Sequence, residues 1–497
     1  MRRIAPTFYY NFVRQPFRIL TMALLGLIFA VNVYRAATQS VTHDEGVTYE
    51  NFIAAPWTVV FNSYDANHHV LHTILCKIFV DFLGVWPLTL RLASVLSGLL
   101  YLLVVFRICG RLFGEGWYLL LSALLLSLNP YLLDFLSAAR GYGMAVAFLF
   151  WALWEMLEWL RDPQTQRAVR AGVALGLSVA ANLVLAPPAA GLALMFLAAI
   201  WKQRRSFQPA VTVTKKGTKK EQPNPFPTLG QAMVRFVVPF AGIALAIVLS
   251  PLSNAGGGQF YVGTESLRAG VESLVRSSLP ITPEWVIVAL AWVVLPALLM
   301  ASAVVAWRAA ARWTAATLLE RCAMLAGGAM LLAFLAMTAA HLLFNVPYPE
   351  GRTGIYWIPL FTLAGLTLAK LWERATIFLA VPMAACVAVY AAEFRVSYYA
   401  DWPYDRDSKT LASLIRERKP PAADRKLRVE GSWQLEPSFN FYRASDHMDW
   451  IAEEERETPK PGADFYLLLA QDGHFVSDLH LKIVYQGKES GSILAQP

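Results

Sequence analysis

Val41-Thr42-His43-Asp44-Glu45-Gly46 is the stretch around which the chain is organised. It follows the first long apolar segment, residues 17–34. Two adjacent carboxylates at the end of such a segment are costly beside a membrane unless they have a task. One of them can act as a general base on a hydroxyl or an amine, or bind a metal ion. The plainer alternatives are a solvated loop pair, or caps of a short helix that begins at Gly46.

The composition is that of a membrane protein. Of 497 residues, 56% are hydrophobic and 16% are charged, whereas roughly a quarter of the residues in soluble domains are charged. Many apolar runs reach the ~17–25 residues that span a bilayer as a helix. The four cysteines are scattered and lack metal-ligand spacing. The net charge of +8 lies mainly between the apolar runs, which indicates membrane topology and no nucleic-acid partner.

Arginine and lysine distinguish the two sides of the membrane. They are concentrated in residues 1–18 and in alternate turns between apolar runs. The positive-inside rule therefore places the N-terminus in the cytoplasm and the C-terminus outside. The apolar runs predict about eleven crossings: residues 17–34, 88–106, 117–136, 141–160, two within 171–201 divided at Pro187-Pro188, 236–252, 286–307, 322–344, 355–370 and 376–392.

The sequence thus predicts a mainly α membrane protein with two domains. A polytopic bundle of about eleven helices occupies residues 1–392, and a small α/β domain outside the membrane occupies residues 393–497. In this tail, residues 408–418 have helical spacing, and short apolar runs near 427–433, 464–469 and 481–485 predict strands.

Two long polar segments interrupt the predicted bundle. The outer loop, residues 35–87, holds Asp44 and Glu45. Its second half, residues 70–83, has helical apolar spacing and is expected to lie along the membrane surface. Residues 202–230, rich in Lys and Pro, predict a flexible cytoplasmic linker.

A histidine cluster lies in the same outer loop. His68 and His72 are four residues apart and would share a helical face that a transition metal can use, with His69 beside them. The His-Glu-x-x-His pattern of zinc hydrolases is absent. Phosphate binding or contact with water are the alternatives, so no metal is assigned and a divalent ion is left open as a cofactor.

Arg140 and Arg352 are the other candidates on the outer side. Arg140 stands between two apolar segments with almost no loop, where a guanidinium is costly unless it pairs with a carboxylate, a phosphate or a headgroup. Snorkelling to the interface is the alternative. Glu350 lies two residues before Arg352, so a local ion pair is the alternative there. These residues share the predicted outer face with Asp44 and His68, which suits a phosphate-bearing lipid as substrate.

In this order the motifs resemble those of polytopic glycosyltransferases with a GT-C fold that use lipid-linked sugars, such as the protein O-mannosyltransferases and the aminoarabinose transferases of lipid A. The resemblance spans about residues 15–365. It rests on five segments: Asp44-Glu45, Asn67-His68-His69-Val70-Leu71, Leu90-Arg91-Leu92-Ala93-Ser94-Val95-Leu96-Ser97-Gly98, Ser137-Ala138-Ala139-Arg140-Gly141-Tyr142-Gly143-Met144 and Pro349-Glu350-Gly351-Arg352-Thr353-Gly354-Ile355-Tyr356.

The resemblance implies a site. Asp44, with Glu45 beside it, takes the place of a catalytic base or acceptor-binding carboxylate. His68 and Arg140 match positions near the phosphate of the donor lipid. Further candidates for binding the substrate and its lipid phosphate belong to the same motifs or follow them: His69, His72, Tyr142, Glu350, Arg352 and Tyr356. The His-Pro-Pro-Leu found in many relatives is replaced here by His68-His69-Val70-Leu71.

The resemblance also implies the reaction and its partners. The donor would be a polyprenyl-phosphate-linked sugar and the acceptor a glycan, a lipid or a protein, with membrane lipid around the donor's tail. Transfer would invert the sugar, on the outer face of a bacterial inner membrane. No glycine motif for a nucleotide follows a predicted strand, which favours a lipid-linked donor.

Two other classes of protein are weighed against a transferase. A transporter or lipid flippase should carry ionisable residues near the middle of its helices and show internal repeats. Here the charges lie at the outer ends of the apolar runs, and no repeat is found. An inactive scaffold that works through its tail is the second alternative.

Overall fold

The computed structural model describes residues 15–204, 211–213, 219–221, 228–256, 262–419 and 425–497. Its α-helices are α1 Pro16–Thr38, α2 His43–Thr48, α3 Trp57–Asn62, α4 Val70–Leu83, α5 Pro87–Phe113, α6 Trp117–Ser127, α7 Pro130–Phe135, α8 Gly141–Arg161, α9 Thr165–Ala181, α10 Ala186–Lys202, α11 Leu229–Ser253, α12 Leu267–Ser278, α13 Glu284–Ala289, α14 Leu295–Ala311, α15 Leu318–Phe344, α16 Trp357–Leu371, α17 Glu373–Glu393, α18 Ser408–Arg416, α19 Glu436–Ser445 and α20 His474–Asp478. Its strands are β1 Val211–Val213, β2 Lys219–Glu221, β3 Val429–Gly431, β4 Phe465–Leu468, β5 Lys482–Gln486 and β6 Ile493–Gln496.

Nine helices in the described part of the chain are long and apolar enough to cross a membrane, so the chain is an integral, multi-pass membrane protein. Each coincides with a predicted crossing. The two remaining predicted crossings correspond to shorter helices, α6 and α9. The mainly α, polytopic fold class is therefore confirmed, and α4 coincides with the surface helix predicted at residues 70–83.

The crossing predicted as one helix at residues 117–136 is wrong in detail, because the chain divides it into α6 and α7. Pro130 lies in the first turn of α7, where its missing N–H needs no partner. The Asn129 side chain accepts a hydrogen bond from the Leu132 N–H at 3.0 Å and caps the new helix. A proline preceded by a capping residue thus ends one helix and starts the next.

The long apolar run at residues 171–201 is divided as predicted, although at a different point. The division lies at Leu183–Leu185, a single 3-10 turn. Pro187 and Pro188 follow it within the first turn of α10. Proline is tolerated there, so the two prolines begin a helix instead of forming the turn.

Glycine allows the helices of the bundle to approach closely. Helix α9 packs against α8 and α11, and α15 packs against α10, α14 and α16. A side-chain carbon at Gly172 would lie 2.2 Å from the Phe236 carbonyl oxygen, where α9 meets α11. Only glycine fits at such a crossing. Buried Trp159 and Phe196 fill the space between neighbouring helices.

The tail folds into the predicted small α/β domain. Its four strands have the order β3-β4-β6-β5, with β3 parallel to β4 and the other two pairs antiparallel. The predicted helix and the three predicted strands correspond to α18, β3, β4 and β5. Sequence analysis missed α19 and β6. The consecutive apolar residues Ile493-Leu494-Ala495 were the available signal for β6, which is the central partner of β4 and β5.

The α/β domain is hydrogen-bonded to the stretch from Val41 to Gly46, called the 41–46 segment below. The Val41 N–H donates to Tyr442 Oη at 2.9 Å. The His43 N–H donates to Asp405 Oδ2 at 2.6 Å. The tail therefore lies at the same end of the bundle as Asp44.

Close backbone contact and a buried ion pair complete this junction. A side-chain carbon at Gly46 would lie 2.4 Å from the Pro437 carbonyl oxygen, so α2 and α19 touch through backbone. Arg35, at the end of α1, forms an ion pair with Asp134, whose other oxygen accepts the Ala400 N–H at 2.8 Å. The chain leaving α17 is thereby fixed to α1 and α7.

The predicted linker at residues 202–230 falls largely outside the described residues. Its described parts are the end of α10, the antiparallel pair of β1 and β2, and the start of α11. The backbone pairing of Val211 with Glu221 was not predicted.

Candidate active site

The 41–46 segment forms the first turn of α2. Thr42 is the N-cap: its Oγ1 accepts the Glu45 N–H at 3.4 Å, and its own N–H donates to Glu45 Oε2 at 2.8 Å. This reciprocal arrangement is a capping box. The helix begins at His43, three residues before the expected start at Gly46. Of the two carboxylates, Glu45 takes part in capping the helix and Asp44 does not.

Glu45 is enclosed by protein. Its oxygens accept hydrogen bonds from Arg91 Nε at 2.8 Å and Nη2 at 2.6 Å, and from the Ala139 N–H at 2.5 Å. Arg91 also donates to backbone carbonyls of residues 36–40 at 2.7 to 3.1 Å. Both side chains are 0% exposed. The Glu45–Arg91 pair therefore joins α2, α5, the end of α1 and the turn before α8.

Asp44 faces two arginines. Arg352 Nη1 lies 2.7 Å from Asp44 Oδ2, and Arg140 Nη2 lies 3.5 Å from the same oxygen. Arg140 also donates to the Asp44 carbonyl and to Thr48 Oγ1, each at 3.3 Å, and to Asn67 Oδ1 at 2.8 Å. The Arg352 side chain is 24% exposed. It forms the accessible edge of what is called the Asp44 cluster below: Asp44, Arg140 and Arg352.

Three other predicted residues adjoin this cluster. The Tyr142 ring centroid lies 6.0 Å from Arg140 Cζ and 4.9 Å from the His69 ring. His68 stacks on Phe52 with 4.1 Å between centroids. The Nε2 atoms of His68 and His69 are buried and have no hydrogen-bond partner among the described residues. Both atoms therefore have an unused capacity for a hydrogen bond.

Three predicted site residues point elsewhere. His72 Nε2 lies 2.9 Å from Ser94 Oγ in the bundle interior. The Tyr356 hydroxyl donates to Met337 Sδ at 2.9 Å, between α16 and α15. Glu350 is exposed, and the ion pair of Arg352 is with Asp44 and not with this neighbour.

The cluster has a positive balance of charge. Burial alone would raise the pKa of Asp44, but Arg140 and Arg352 outweigh it and hold that pKa below its usual value. Burial lowers the pKa of His68 to about 4 and that of His69 well below its usual range. Near pH 7 the aspartate is ionised and both imidazoles are neutral. Within the Asp44 cluster two guanidinium groups thus face one carboxylate, an arrangement that attracts an anion. The Asp401 carboxylate near Arg352 offsets part of this positive excess.

The segment between α17 and α18 adds residues that sequence analysis missed. Asp401 Oδ2 accepts the Tyr131 hydroxyl at 3.2 Å, and the Trp402 ring lies 5.7 Å from Arg352 Cζ. Burial raises the pKa of Asp401 to about 6 despite the nearby Arg352. Nothing in the tail's composition marks this residue. Arg91, by contrast, belongs to one of the five segments on which the resemblance rests.

His43 connects the site to the α/β domain. Its Nδ1 lies 2.9 Å from the Gln434 carbonyl oxygen, and Arg456 Nη2 donates to its Nε2 at 2.9 Å. Trp433 packs edge-on against the imidazole at 5.4 Å. Burial lowers the pKa of His43, which suits a neutral ring that accepts a hydrogen bond from arginine.

The described residues contain no group of three or more His, Cys, Asp or Glu side chains placed to hold a metal ion. His68 and His72 do not share a ligand position, because one stacks on Phe52 and the other bonds to Ser94.

Solved structures with a similar course of the chain come from membrane sugar transferases. ArnT from Cupriavidus metallidurans, in the apo state and bound to undecaprenyl phosphate, is 14% and 13% identical with TM-scores of 0.49 and 0.46, over 96% of this chain and 97% of that one. The Archaeoglobus fulgidus oligosaccharyltransferase AglB, solved with an inhibitory peptide and a dolichol-phosphate, is 12% identical with a TM-score of 0.44, over 91% of this chain and 69% of that one.

The arabinosyltransferase EmbB from Mycobacterium smegmatis is 14% identical with a TM-score of 0.41, over 75% of this chain and 31% of that one. No family model and no curated protein matches the chain. The solved structures belong to the class that the sequence resembles. At these identities and TM-scores the likeness assigns neither an activity nor a residue to this chain.

Proposed function

We propose that the chain is a GT-C-type membrane glycosyltransferase, which moves a sugar from a polyprenyl-phosphate donor to a glycan, lipid or protein acceptor. The observation that carries the proposal is the Asp44 cluster, with one ionised carboxylate between two arginines at the end of a helix bundle. A phosphate on an apolar tail is recognised by arginines at the ends of membrane helices. An acceptor hydroxyl or amine needs a base beside that phosphate.

The two arginines link donor binding to the basicity of Asp44. Phosphate oxygens compete with Asp44 for the guanidinium groups of Arg140 and Arg352. Once these groups turn to the phosphate, Asp44 loses the ion pairs that hold its pKa down, and it becomes a stronger base. Arg352 is the partly exposed member of the cluster, so we assign first contact with the donor to it.

The transfer step follows from this arrangement. The acceptor atom forms a bond to the anomeric carbon on the face opposite the phosphate, and the carbon–oxygen bond to the phosphate breaks. Its electron pair goes to the phosphate oxygen, where Arg140 and Arg352 stabilise the developing charge. Asp44 takes the acceptor's proton, and the sugar is inverted.

The neighbouring residues have supporting roles in this proposal. The neutral His68 and His69 offer Nε2 to donor oxygens without adding charge. Tyr142 packs against the Arg140 guanidinium and the His69 ring. We assign Glu45 to positioning, because its oxygens already accept hydrogen bonds from protein groups.

The proposal includes an orientation and a division of the chain. The arginine-rich turns support a cytoplasmic N-terminus, with Asp44 and the α/β domain outside. The resemblance is what suggests a bacterial inner membrane. We place the boundary between the bundle, residues 1–392, and the domain, residues 393–497, at the end of α17. The contacts of the domain with the 41–46 segment support a role in binding the acceptor.

The test is transfer of radiolabelled sugar from a series of polyprenyl phosphates to an extract of envelope glycans and lipids. We expect the purified wild type to transfer sugar and Asp44→Asn to be slower by about 10²–10⁴-fold, the usual contribution of a positioned base. Asp449→Asn is the matched control, because Asp449 is an exposed aspartate. An Asp44→Asn protein that keeps full activity would remove Asp44 from the mechanism. A wild type inactive with every donor would favour the transporter alternative.

A further inference from the structure

A second basic site lies at the end of the bundle opposite Asp44. A cavity of about 350 Å³ is formed by the start of α1, the end of α5, the turn before α6, and α8. This volume lies within the ~300–1,000 Å³ of small-molecule sites. Its lining includes three arginines, one carboxylate and two aromatic rings: Arg18, Arg107, Arg111, Glu115, Phe106 and Trp154.

Positive charge exceeds negative charge around this cavity. Arg18 pairs with Glu115 at 3.1 Å, and Arg111 pairs with Glu158 at 2.8 Å. Arg107 is exposed and has neither a hydrogen bond nor an ion pair within the described part of the chain. The exposed guanidinium of Arg107, in the same lining as two paired ones, leaves the cavity with a donor group for an anion.

The pairing of Arg111 is also incomplete. Glu158 is shared by three arginines, since Arg161 and Arg167 lie 3.1 and 3.4 Å from its oxygens. The cavity lining and the Glu158 ion pairs that adjoin it through Arg111 together contain five arginines and two carboxylates. This excess of arginine favours a phosphate as ligand, because each guanidinium presents paired donors to phosphate oxygens.

The surroundings of the cavity are apolar. Phe106 lies 5.4 Å from Arg18 Cζ, and Trp154 lies 5.9 Å from Arg111 Cζ, so each ring covers a guanidinium. Apolar side chains within one turn of the lining residues on α1 and α5 are exposed: Leu20 is 45% and Leu103 is 50% exposed. A ligand there meets positive charge at the helix ends and an apolar surface along the helices.

We propose that this cavity binds the phosphate-bearing headgroup of an anionic membrane lipid, with the acyl chains along α1 and α5. Basic cavities between membrane helices on the side rich in arginine recognise such headgroups. The phosphate binds Arg107, which has no other partner among the described residues. It also accepts hydrogen bonds from Arg18 and Arg111, which keep their carboxylate partners. Asp44 has no part in this site, so the lipid-binding proposal does not depend on the proposed function.

The test is native mass spectrometry of the full chain, purified in detergent and titrated with phosphatidylglycerol or with phosphatidylcholine. We expect tighter binding of phosphatidylglycerol, and an increase of about fivefold in its Kd for Arg107→Gln, the effect of one surface arginine on an anionic lipid. Arg308→Gln is the matched control, since Arg308 is an exposed arginine at the end of α14. It should leave the Kd unchanged.

Glycerol 3-phosphate and inorganic phosphate, added as competitors, distinguish the two sources of phosphate. Weak competition at millimolar concentration supports a lipid, because the acyl chains contribute to its affinity. Competition by free phosphate as effective as that of the lipid would replace the lipid with a soluble anion. Equal affinity for both lipids, or equal losses in Arg107→Gln and Arg308→Gln, would overturn the site.

Discussion

Asp44 and Glu45 are adjacent in the chain, yet their carboxylates have opposite surroundings. Glu45 accepts hydrogen bonds from a fully buried arginine and two backbone N–H groups. Asp44 is paired with two arginines, one of which is a quarter exposed. A fully bonded pair resists rearrangement, whereas an ion pair at an exposed edge can exchange its partner for a ligand. Glu45 therefore has a holding role, which is to keep the elements of the site in place, whereas Asp44 is free to act on a substrate.

Removal of Arg91 should have the largest effect. In Arg91→Met the Glu45 carboxylate stays buried without its partner, so we expect a loss of about 3–5 kcal/mol in the free energy of unfolding. The double variant Glu45→Gln with Arg91→Met should lose less than Arg91→Met alone, because no charge remains unpaired. Thermal unfolding in detergent measures both, with Arg308→Met as control. Equal unfolding of Arg91→Met and the control would contradict the holding role.

The second prediction concerns the exposed partner of Asp44. Arg352→Gln should lower the rate of sugar transfer by about 10²–10³-fold, the usual effect of removing one group that stabilises developing charge. Its unfolding temperature should stay close to that of the wild type, because Arg352 is partly exposed. Arg425→Gln, an exposed arginine in the α/β domain paired with Asp464, should keep full activity. Loss of folding in Arg352→Gln would place Arg352 with the holding residues.

Gly46 tests whether the α/β domain belongs to the holding part of the site. A side-chain carbon there would overlap the Pro437 carbonyl, so Gly46→Ala should destabilise the protein by about 1–3 kcal/mol. Gly242→Ala is the matched control, since no atom lies within 4 Å of its added carbon. Limited proteolysis should release the α/β domain sooner in Gly46→Ala. If both glycine variants resist protease equally, the close contact is not needed.

The smallest expected effect is a dependence on pH at Glu50, after the end of α2. Burial and the neighbouring Glu436 raise the pKa of Glu50 from 4.5 to about 8. The folded protein thus holds this proton more tightly than the unfolded chain. Its contribution to stability is complete below about pH 4.5 and is lost as pH rises through 8. As the pH is raised from 6 to 9, the unfolding temperature should fall less in Glu50→Gln than in the wild type. Glu265→Gln, at an exposed glutamate, is the control and should behave like the wild type.

Helix periodicity and the rarity of charge in apolar sequence explain what could be predicted. Asp44 and Arg140 are marked because a charge beside a membrane helix needs a partner in any fold. The partner of Glu45 is a different matter, because several arginines are available and only packing selects Arg91. Likewise, the sequence around Arg352 does not show whether its ion-pair partner is the nearby Glu350 or the remote Asp44.

The tail shows the same limit. Short apolar runs predicted three strands, but the three apolar residues of β6 were too few to be assigned without its pairing with β4 and β5. Asp401 enters the site because the Arg35–Asp134 pair fixes the segment after α17. Partners this distant in sequence follow from the tertiary structure.

The hydrogen bond from Val41 to Tyr442 joins residues 401 positions apart, and this separation has a consequence for biosynthesis. At about 5–20 residues per second, the ribosome delivers Tyr442 about 20–80 s after Val41. During that interval the first helices can insert while the 41–46 segment lacks its later partners. Completion of the site therefore waits for the last hundred residues, and a chain truncated after α17 would insert in the membrane without a finished site.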